Sequence, residues 1–300
     1  MDRAAPKWSG APSKCRRLHD LIQARNAVPV PGVYDAFSAL LAQQAGFQAC
    51  QISGFGVAAA ALGLPDIGIL GMRDQINAVT SIANAVEIPV MADGDTGFGN
   101  ALSTYHTVRF MEAAGAAGVN IEDQTFPKRC GHMNDKSVIP TEEMVQKIRA
   151  AVAARRDPHF VINARTDAIA TDGVEAAVVR ANTYLEAGAT LVFVEAPGTR
   201  DDIAHIVRSV RGPVSISMVG APGSKTPSIN LAELRAMGVG RVSYPGVTLA
   251  SAGAAMRRAF QALARDGDLR AVEPELMAFS ELTACVGLAA ERAREQDFGL

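Results

Sequence analysis

Carboxylates recur in this chain wherever a short apolar run stops. Asp93 and Asp95 lie in Asp93-Gly94-Asp95-Thr96-Gly97, Glu122 precedes Asp123, Asp167 follows Arg165-Thr166, and Glu195 closes Leu191–Glu195. A hydrophobic strand has no need of them. Gathered round one point, Asp93, Asp95 and Glu122 would offer only hard oxygen ligands, which suits Mg²⁺ or Mn²⁺ with water and substrate oxygens completing the shell. Taken singly, each could instead cap a helix or pair with Arg165. Arg165 carries a planar two-pronged donor suited to a carboxylate, and equally to an internal ion pair with Glu195 or Asp167.

A second chemical cluster is Lys128-Arg129-Cys130-Gly131-His132. Three potential cations beside a thiol are expected to favour the thiolate, and Gly131 lets the backbone approach a ligand. Cys130 is thus a candidate catalytic group; an exposed loop histidine such as His132 often does nothing. Gly54-Phe55-Gly56-Val57-Ala58-Ala59 passes a loose dinucleotide-binding search, but no acidic residue follows in a second-strand context. Lys225, in the polar loop Ser224-Lys225-Thr226-Pro227, is poorly placed for the desolvation a Schiff base needs, and reads as solvated or anion-facing.

Something must hold these groups at one face. Eight apolar runs read as parallel strands: Val28–Val33, Ala49–Ser53, Ile88–Asp93, Gly118–Glu122, Phe160–Arg165, Leu191–Glu195, Val214–Met218 and Arg241–Tyr244. Amphipathic Ala-rich stretches alternate with them, at 36–45, 75–85, 104–114, 142–154, 174–187 and 201–210. Eight such units predict an α/β fold, a (β/α)8 TIM-type barrel with its chemistry at the carboxyl ends of the strands. A doubly wound open sheet is the alternative. Asp123–Pro140 is too long and polar for a plain connection and reads as a mobile active-site loop. After Asp266 a further helix carries Leu276, Phe279, Leu282 and Val286 on one face, a stripe that needs a partner.

Composition bounds the rest. The 300 residues are 48% hydrophobic, enough for one barrel domain over 1–300. With 29 Lys+Arg against 31 Asp+Glu there is no basic excess to hold a phosphate backbone, so nucleic acid is excluded as a partner. Residues 1–10 lack the apolar centre of a signal peptide, and no later run approaches a membrane span. Cys15, Cys50, Cys130 and Cys285 have neither zinc-like nor disulfide-framework spacing. The expected location is cytoplasmic.

The ordered motifs Pro31-Gly32-Val33-Tyr34-Asp35-Ala36, Ser53-Gly54, Leu62-Gly63-Leu64-Pro65-Asp66, Asp93-Gly94-Asp95-Thr96-Gly97-Phe98-Gly99, Ile121-Glu122-Asp123-Gln124, Lys128-Arg129-Cys130-Gly131-His132, Ala164-Arg165-Thr166-Asp167 and Glu195-Ala196-Pro197 resemble the isocitrate lyase and phosphoenolpyruvate mutase superfamily. The cysteine loop is similar to that of its lyase branch, which includes isocitrate, 2-methylisocitrate and 2,3-dimethylmalate lyases and oxaloacetate hydrolases. The resemblance implies a Mg²⁺ site in which Asp95 approaches the ion, Asp93 and Glu122 act through its waters, and Asp66 joins the same shell. It implies that Ser53, Gly54 and Phe55 hold an oxo-acid carboxylate with Arg165, that Glu195 orders the far side, and that Tyr34, Gly131, His132 and Ser217 border the substrate. It further implies a homotetramer, a dimer of dimers, whose C-terminal helical segment, 267–300, is swapped between subunits.

The implied activity is cleavage of a 2-hydroxy di- or tricarboxylate, of substituted-malate or methylisocitrate type, into a 2-oxo acid and a second carboxylic acid. Cys130 would act as general acid to the departing carbanion. One stretch departs from the pattern: where the lyases carry Asn and Glu after the seventh strand, this chain has Ser217 and Gly220 in Ser217-Met218-Val219-Gly220-Ala221-Pro222-Gly223. Tyr34-Asp35 is similar to the dimethylmalate and oxaloacetate branch, whereas Pro245 stands where oxaloacetate hydrolases tend to have Ser. The rivals are an oxaloacetate hydrolase or decarboxylase on the same metal site, a phosphonopyruvate-type mutase or hydrolase, disfavoured by Cys130, and a barrel that binds without catalysis.

Overall fold

Each of the eight apolar runs forms a strand in the computed structural model, which describes residues 12–220 and 222–299. The segment 1–10 discussed above lies outside the described residues, as do Ala11, Ala221 and Leu300. The strands are β1 (Val28–Val33), β2 (Cys50–Ile52), β3 (Val90–Asp93), β4 (Gly118–Glu122), β5 (Val161–Thr166), β6 (Leu191–Val194), β7 (Val214–Ser217) and β8 (Arg241–Tyr244). All pair in parallel in sequence order, and β1 closes on β8 through Val28↔Arg241 and Val30↔Ser243. The closed barrel, not the open sheet, is therefore the fold.

Helices separate the strands: α1 (Lys14–Gln23), α2 (Ala36–Gln44), α3 (Gly54–Val57) with a π-turn over Ala58–Leu62, α4 (Met72–Ala85), α5 (Ala101–Ala113) and α6 (Thr141–Ala154). Then come α7 (Ile169–Glu186), α8 (Arg200–Ser209), α9 (Leu231–Met237) and α10 (Val247–Asp266). Caps set several starts. Asp35 closes a capping box with Ser38, accepting its N–H at 2.7 Å, and Asn100 accepts from Leu102 and Ser103 at the head of α5. In α7 the expected start at Val174 coincides with a break, because Gly173 sits at φ 86° after one preceding turn.

The barrel interior is polar toward its centre. Gln51, Asn163, Ser215, Arg241 and Ser243 are all buried, and Asn120 is half-buried. Arg241 donates to Gln51 and, at 3.2 Å, to Asn120 Oδ1. Burial pushes Arg241 down to about 9, since its hydrogen bonds go to neutral amides.

The chain divides into two compact units, one over Ser13–Thr248 and one containing Leu249–Leu300. In the second, Arg258 pairs with Glu275 at 2.7 Å and Cys285 is buried. The single expected tail helix is instead two, α11 (Phe279–Cys285) and α12 (Leu288–Asp297), because Gly287 between them takes φ 80°. Leu276 and Val286 fall just outside α11, and the expected stripe of Leu276, Phe279, Leu282 and Val286 is exposed, Phe279 by 80%. Among the described residues no helix is long and apolar enough to cross a membrane.

Candidate active site

The carboxyl ends of the strands converge on a buried acidic nest. β3 ends in Asp93, whose Oδ2 accepts the Gly54 N–H at 3.0 Å and whose Oδ1 accepts the Asp95 N–H at 3.1 Å. A Cβ at position 54 would stand 2.6 Å from Asp93 Oδ2, so glycine is required for that clamp. Asp95 follows at φ 45°, a conformation that costs a non-glycine residue about 1–3 kcal/mol. Burial pushes its carboxyl up to about 7, helped by Asp93 and Asp66 and opposed by Lys128. Glu122, at the end of β4, is likewise raised by burial against the pull of Arg165 and Lys128.

The cation in this nest is Lys128. Its buried ammonium pairs with Asp66 and, at 2.8 Å, with Asp95. Burial alone would lower its pKa; Asp95, Glu122, Asp66 and Asp93 together raise it well above the ordinary lysine value. One ammonium thus faces four carboxylates, two of them raised chiefly by burial, and all four present hard oxygens. The donor set fits a dication of Mg²⁺ type. Among the described residues no group of three or more His, Cys, Asp or Glu side chains forms a ready-made cage.

A second network surrounds Arg165 on β5. Its Nε and Nη2 reach the two Asp167 oxygens at 2.8 and 2.9 Å, and Nη1 lies 3.2 Å from Glu122 Oε2. Nε is 3.7 Å from Glu195 Oε2, and the guanidinium stacks over Phe193 at 5.3 Å. The internal ion pair is therefore made, with Asp167 taking the fork. Burial would raise Glu195, yet Arg165 and His132 hold it below the usual carboxylate range. Asp123 belongs to the framework instead: it accepts from Tyr184 Oη at 2.7 Å, from Arg180 at 3.2 Å and from the Asp167 N–H at 2.9 Å.

The β4–α6 loop carries Cys130 over these groups. Gln124 ties it at both ends of one amide, donating to Glu122 Oε1 at 2.9 Å and Arg129 O at 2.8 Å while accepting the Arg129 N–H at 3.0 Å. The Cys130 N–H reaches Asp66 O at 3.1 Å. Lys136 donates to Gly131 O at 2.5 Å and Asp167 Oδ1 at 2.7 Å. The expected thiolate is corrected by this geometry. Burial raises the Cys130 thiol above its ordinary value, Asp66 and Glu195 add to the rise against Arg165, and Lys128 is engaged by Asp66 and Asp95.

The remaining expected residues divide. The Ser53 N–H goes to Val33 O at 2.9 Å, its hydroxyl oxygen accepts the Gly56 N–H at 3.1 Å, and the Gly54 N–H is held by Asp93. The Ser53 hydroxyl hydrogen and the Phe55 amide remain on this turn to face a carboxylate. The Tyr34 N–H bonds to Ser38 Oγ at 3.2 Å and Ser217 is buried at the end of β7. Lys225, expected to be solvated or anion-facing, is exposed and also contacts the β4–α6 loop. Lys128, Lys136 and Asp167 form most of the electrostatic frame, and among them sequence reasoning gave no role to Lys136. Its only mark in the sequence is its place in a long polar loop.

The chain is similar to known proteins over most of its length. The family described as phosphoenolpyruvate phosphomutase matches residues 18–264. The 2,3-dimethylmalate lyase of Eubacterium barkeri is 38% identical over 282 residues, 94% of this chain and 97% of that one. The 2-methylisocitrate lyase of Shewanella oneidensis is 40% identical over 271 residues, 90% and 92% of the two. The solved structure of a phosphonopyruvate hydrolase complexed with oxalate and Mg²⁺ superposes with a TM-score of 0.86 at 34% identity, covering 95% of this chain and 99% of that one.

Proposed function

The chain belongs to the phosphoenolpyruvate mutase/isocitrate lyase superfamily of enzymes, and from that membership we propose that it is a Mg²⁺-dependent carbon–carbon lyase acting on a 2-hydroxy di- or tricarboxylate. The products are a 2-oxo acid and a second carboxylic acid. The observation that carries the proposal is Cys130: a half-buried thiol, raised above its ordinary value by burial, on a loop tied to the segment of Asp66, next to the acidic nest and the Arg165–Glu195 pair.

In this reading Asp95 holds the ion, with Asp93, Glu122 and Asp66 around it. When bound, the dication supplies Lewis-acid stabilisation of the developing oxyanion. The Ser53 hydroxyl, the Phe55 amide and Arg165 orient the carboxylate end of the substrate. Tyr34, His132 and Ser217 border the departing acid, and Gly131 allows the loop to approach it. Cys130, holding its proton through the neutral range, delivers it to the carbon of the leaving fragment. The buried Glu195, held below the usual carboxylate range by Arg165 and His132, fixes both side chains relative to the loop.

The protein is read as a single working barrel whose loop, 123–140, opens for exchange of substrate and product. Its tail, 267–300, is read as exchanged between subunits of a homotetramer, which the exposed Phe279, Leu282 and Val286 support. Four free cysteines suit a reducing cytoplasm.

The test is Mg²⁺-dependent release of 2-oxo acid from isocitrate, 2-methylisocitrate, 2,3-dimethylmalate and oxaloacetate, with C130S alongside. One alkylated acid is expected to be cleaved, and C130S to keep its affinity within several-fold while turnover falls by at least about a hundredfold. Release of oxalate plus acetate from oxaloacetate alone would make the enzyme a hydrolase. Near-normal turnover by C130S would remove the general-acid role.

A further inference from the structure

The loop after β7 departs most from the sequence pattern of the lyases, and its backbone is turned sharply. Val219 takes φ 28°, Gly220 φ 80° and Gly223 φ 84°. These turns bring Lys225 onto the β4–α6 loop, more than ninety residues earlier in the chain. Three bonds join them: the Lys225 N–H to His132 Nδ1 at 3.0 Å, and the Lys225 ammonium to Met133 O at 3.1 Å and Asn134 Oδ1 at 2.9 Å.

The first bond has a chemical consequence. Because Nδ1 accepts, a neutral His132 must carry its proton on Nε2, and that nitrogen lies 3.2 Å from Glu195 Oε1. Glu195 in turn faces Arg165. A residue from the β7–α9 loop thus sets the tautomer and ring orientation of the histidine two positions from Cys130. The other two bonds close the turn that Met133 N–H makes with Cys130 O at 2.8 Å. A lysine suits this task, since its ammonium has three donors on a stem long enough to reach two acceptors at once.

We propose that Lys225 is a positioning residue, a latch by which the β7–α9 loop holds the Cys130 loop closed. The catalytic meaning of the latch rests on the lyase reading; the latch itself does not. Lys225 is exposed, so its ammonium contacts are worth a few-fold to about tenfold in the closed population rather than more.

The experiment measures the rate at which iodoacetamide alkylates Cys130 in the full-length, metal-free protein, read site by site by mass spectrometry at one pH. Cys15, Cys50 and Cys285 are buried and serve as internal references. K225M is expected to raise the Cys130 rate about three- to tenfold while leaving the reference thiols unchanged, and K225R, which keeps the donors, to return it to within twofold of the parent. An unchanged Cys130 rate in K225M overturns the latch, and so does a K225R rate as high as that of K225M. A rise at all four cysteines would indicate general loosening and equally defeat it. Because no substrate is present, an enzyme inactive on every acid above would sink the lyase reading and leave this result standing.

Discussion

Replacing Gly131 by alanine gives the sharpest test of how closely the Cys130 loop must approach the barrel. A Cβ built at this position lies 2.2 Å from Glu195 Oε1, 2.5 Å from Glu195 Cδ and 2.6 Å from Arg165 Nη2. Ordinary contact begins at 3.4 Å, so the pair must separate by 3.4 − 2.2 = 1.2 Å. Arg165 is gripped by both oxygens of Asp167, and Glu195 is 3% exposed, so neither yields cheaply. The loop is the softer partner, and it moves with Cys130 attached. A displacement of about 1 Å of a reacting group costs on the order of a hundredfold in rate, about 2.7 kcal/mol in the barrier. G131A should therefore lose about two decades of kcat on whichever acid the parent cleaves, with its melting temperature nearly unchanged. G198A is the control, because its Cβ would meet only Asp202 Oδ2 at 3.7 Å. Turnover by G131A within threefold of the parent would refute the reasoning, since the closed loop would then not be the working one.

Other perturbations separate charge, framework and titration. K128M removes the ammonium from Asp66 and Asp95; the metal-free protein should lose about 3–5 kcal/mol, and added Mg²⁺ should raise its melting temperature more than it raises the parent's. Equal melting of metal-free K128M and parent would mean Lys128 is not the counter-ion of the nest. Y184F takes one donor from the buried Asp123 and should cost about 1–3 kcal/mol in urea unfolding with little change in kcat; the reverse pattern would move Asp123 from the framework into the chemistry. Cys15 and Cys50 are each pushed up to about 12 by burial, Cys15 with help from Asp157 and Glu112. Unfolded thiols ionise near ~8.5, so the unfolded state sheds protons that the folded one keeps. Stability should be flat below that pH and fall toward 12 by about 1.4 kcal/mol per pH unit for each thiol. Urea midpoints at several alkaline pH values in a C15A/C50A variant should show a shallower fall, and an identical slope would discount the two thiols.

The barrel was legible because its signal is local. Each strand is an apolar run with a polar stop, and parallel pairing buries both faces, so all eight stand within two residues of where the pattern puts them. What escaped depends on single backbone positions or on distance. The run Gly54–Leu62 looks like a glycine motif followed by an alanine stretch; it becomes a short helix and a π-turn because Ser53 caps it. The tail stripe looked continuous until Gly287, whose positive φ splits it. The partner of each lysine was beyond reach of pattern: Lys128 and Asp66 are 62 residues apart, Lys225 and His132 93. For Cys130 the charges were counted correctly but their availability was not. Arg165 still favours the thiolate, but desolvation, with Asp66 and Glu195, outweighs it.

That last error points to how the site is built. Three lysines tie the Cys130 loop to different parts of the barrel rim: Lys128 to Asp66 and Asp95, Lys136 to Asp167 at the end of β5, and Lys225 from the loop after β7. The loop is therefore held by charge more than by apolar packing, and Phe126 within it is 70% exposed. Contacts of this kind are sensitive to what enters the pocket. A dication at Asp95 would compete with Lys128 for the same oxygens, and a substrate carboxylate at Arg165 would compete with Asp167, which also anchors Lys136. Under the proposed reaction each ligand would thus act on a tether of the loop that carries Cys130, coupling the position of Cys130 to the charge state of the pocket through the same residues that make the pocket.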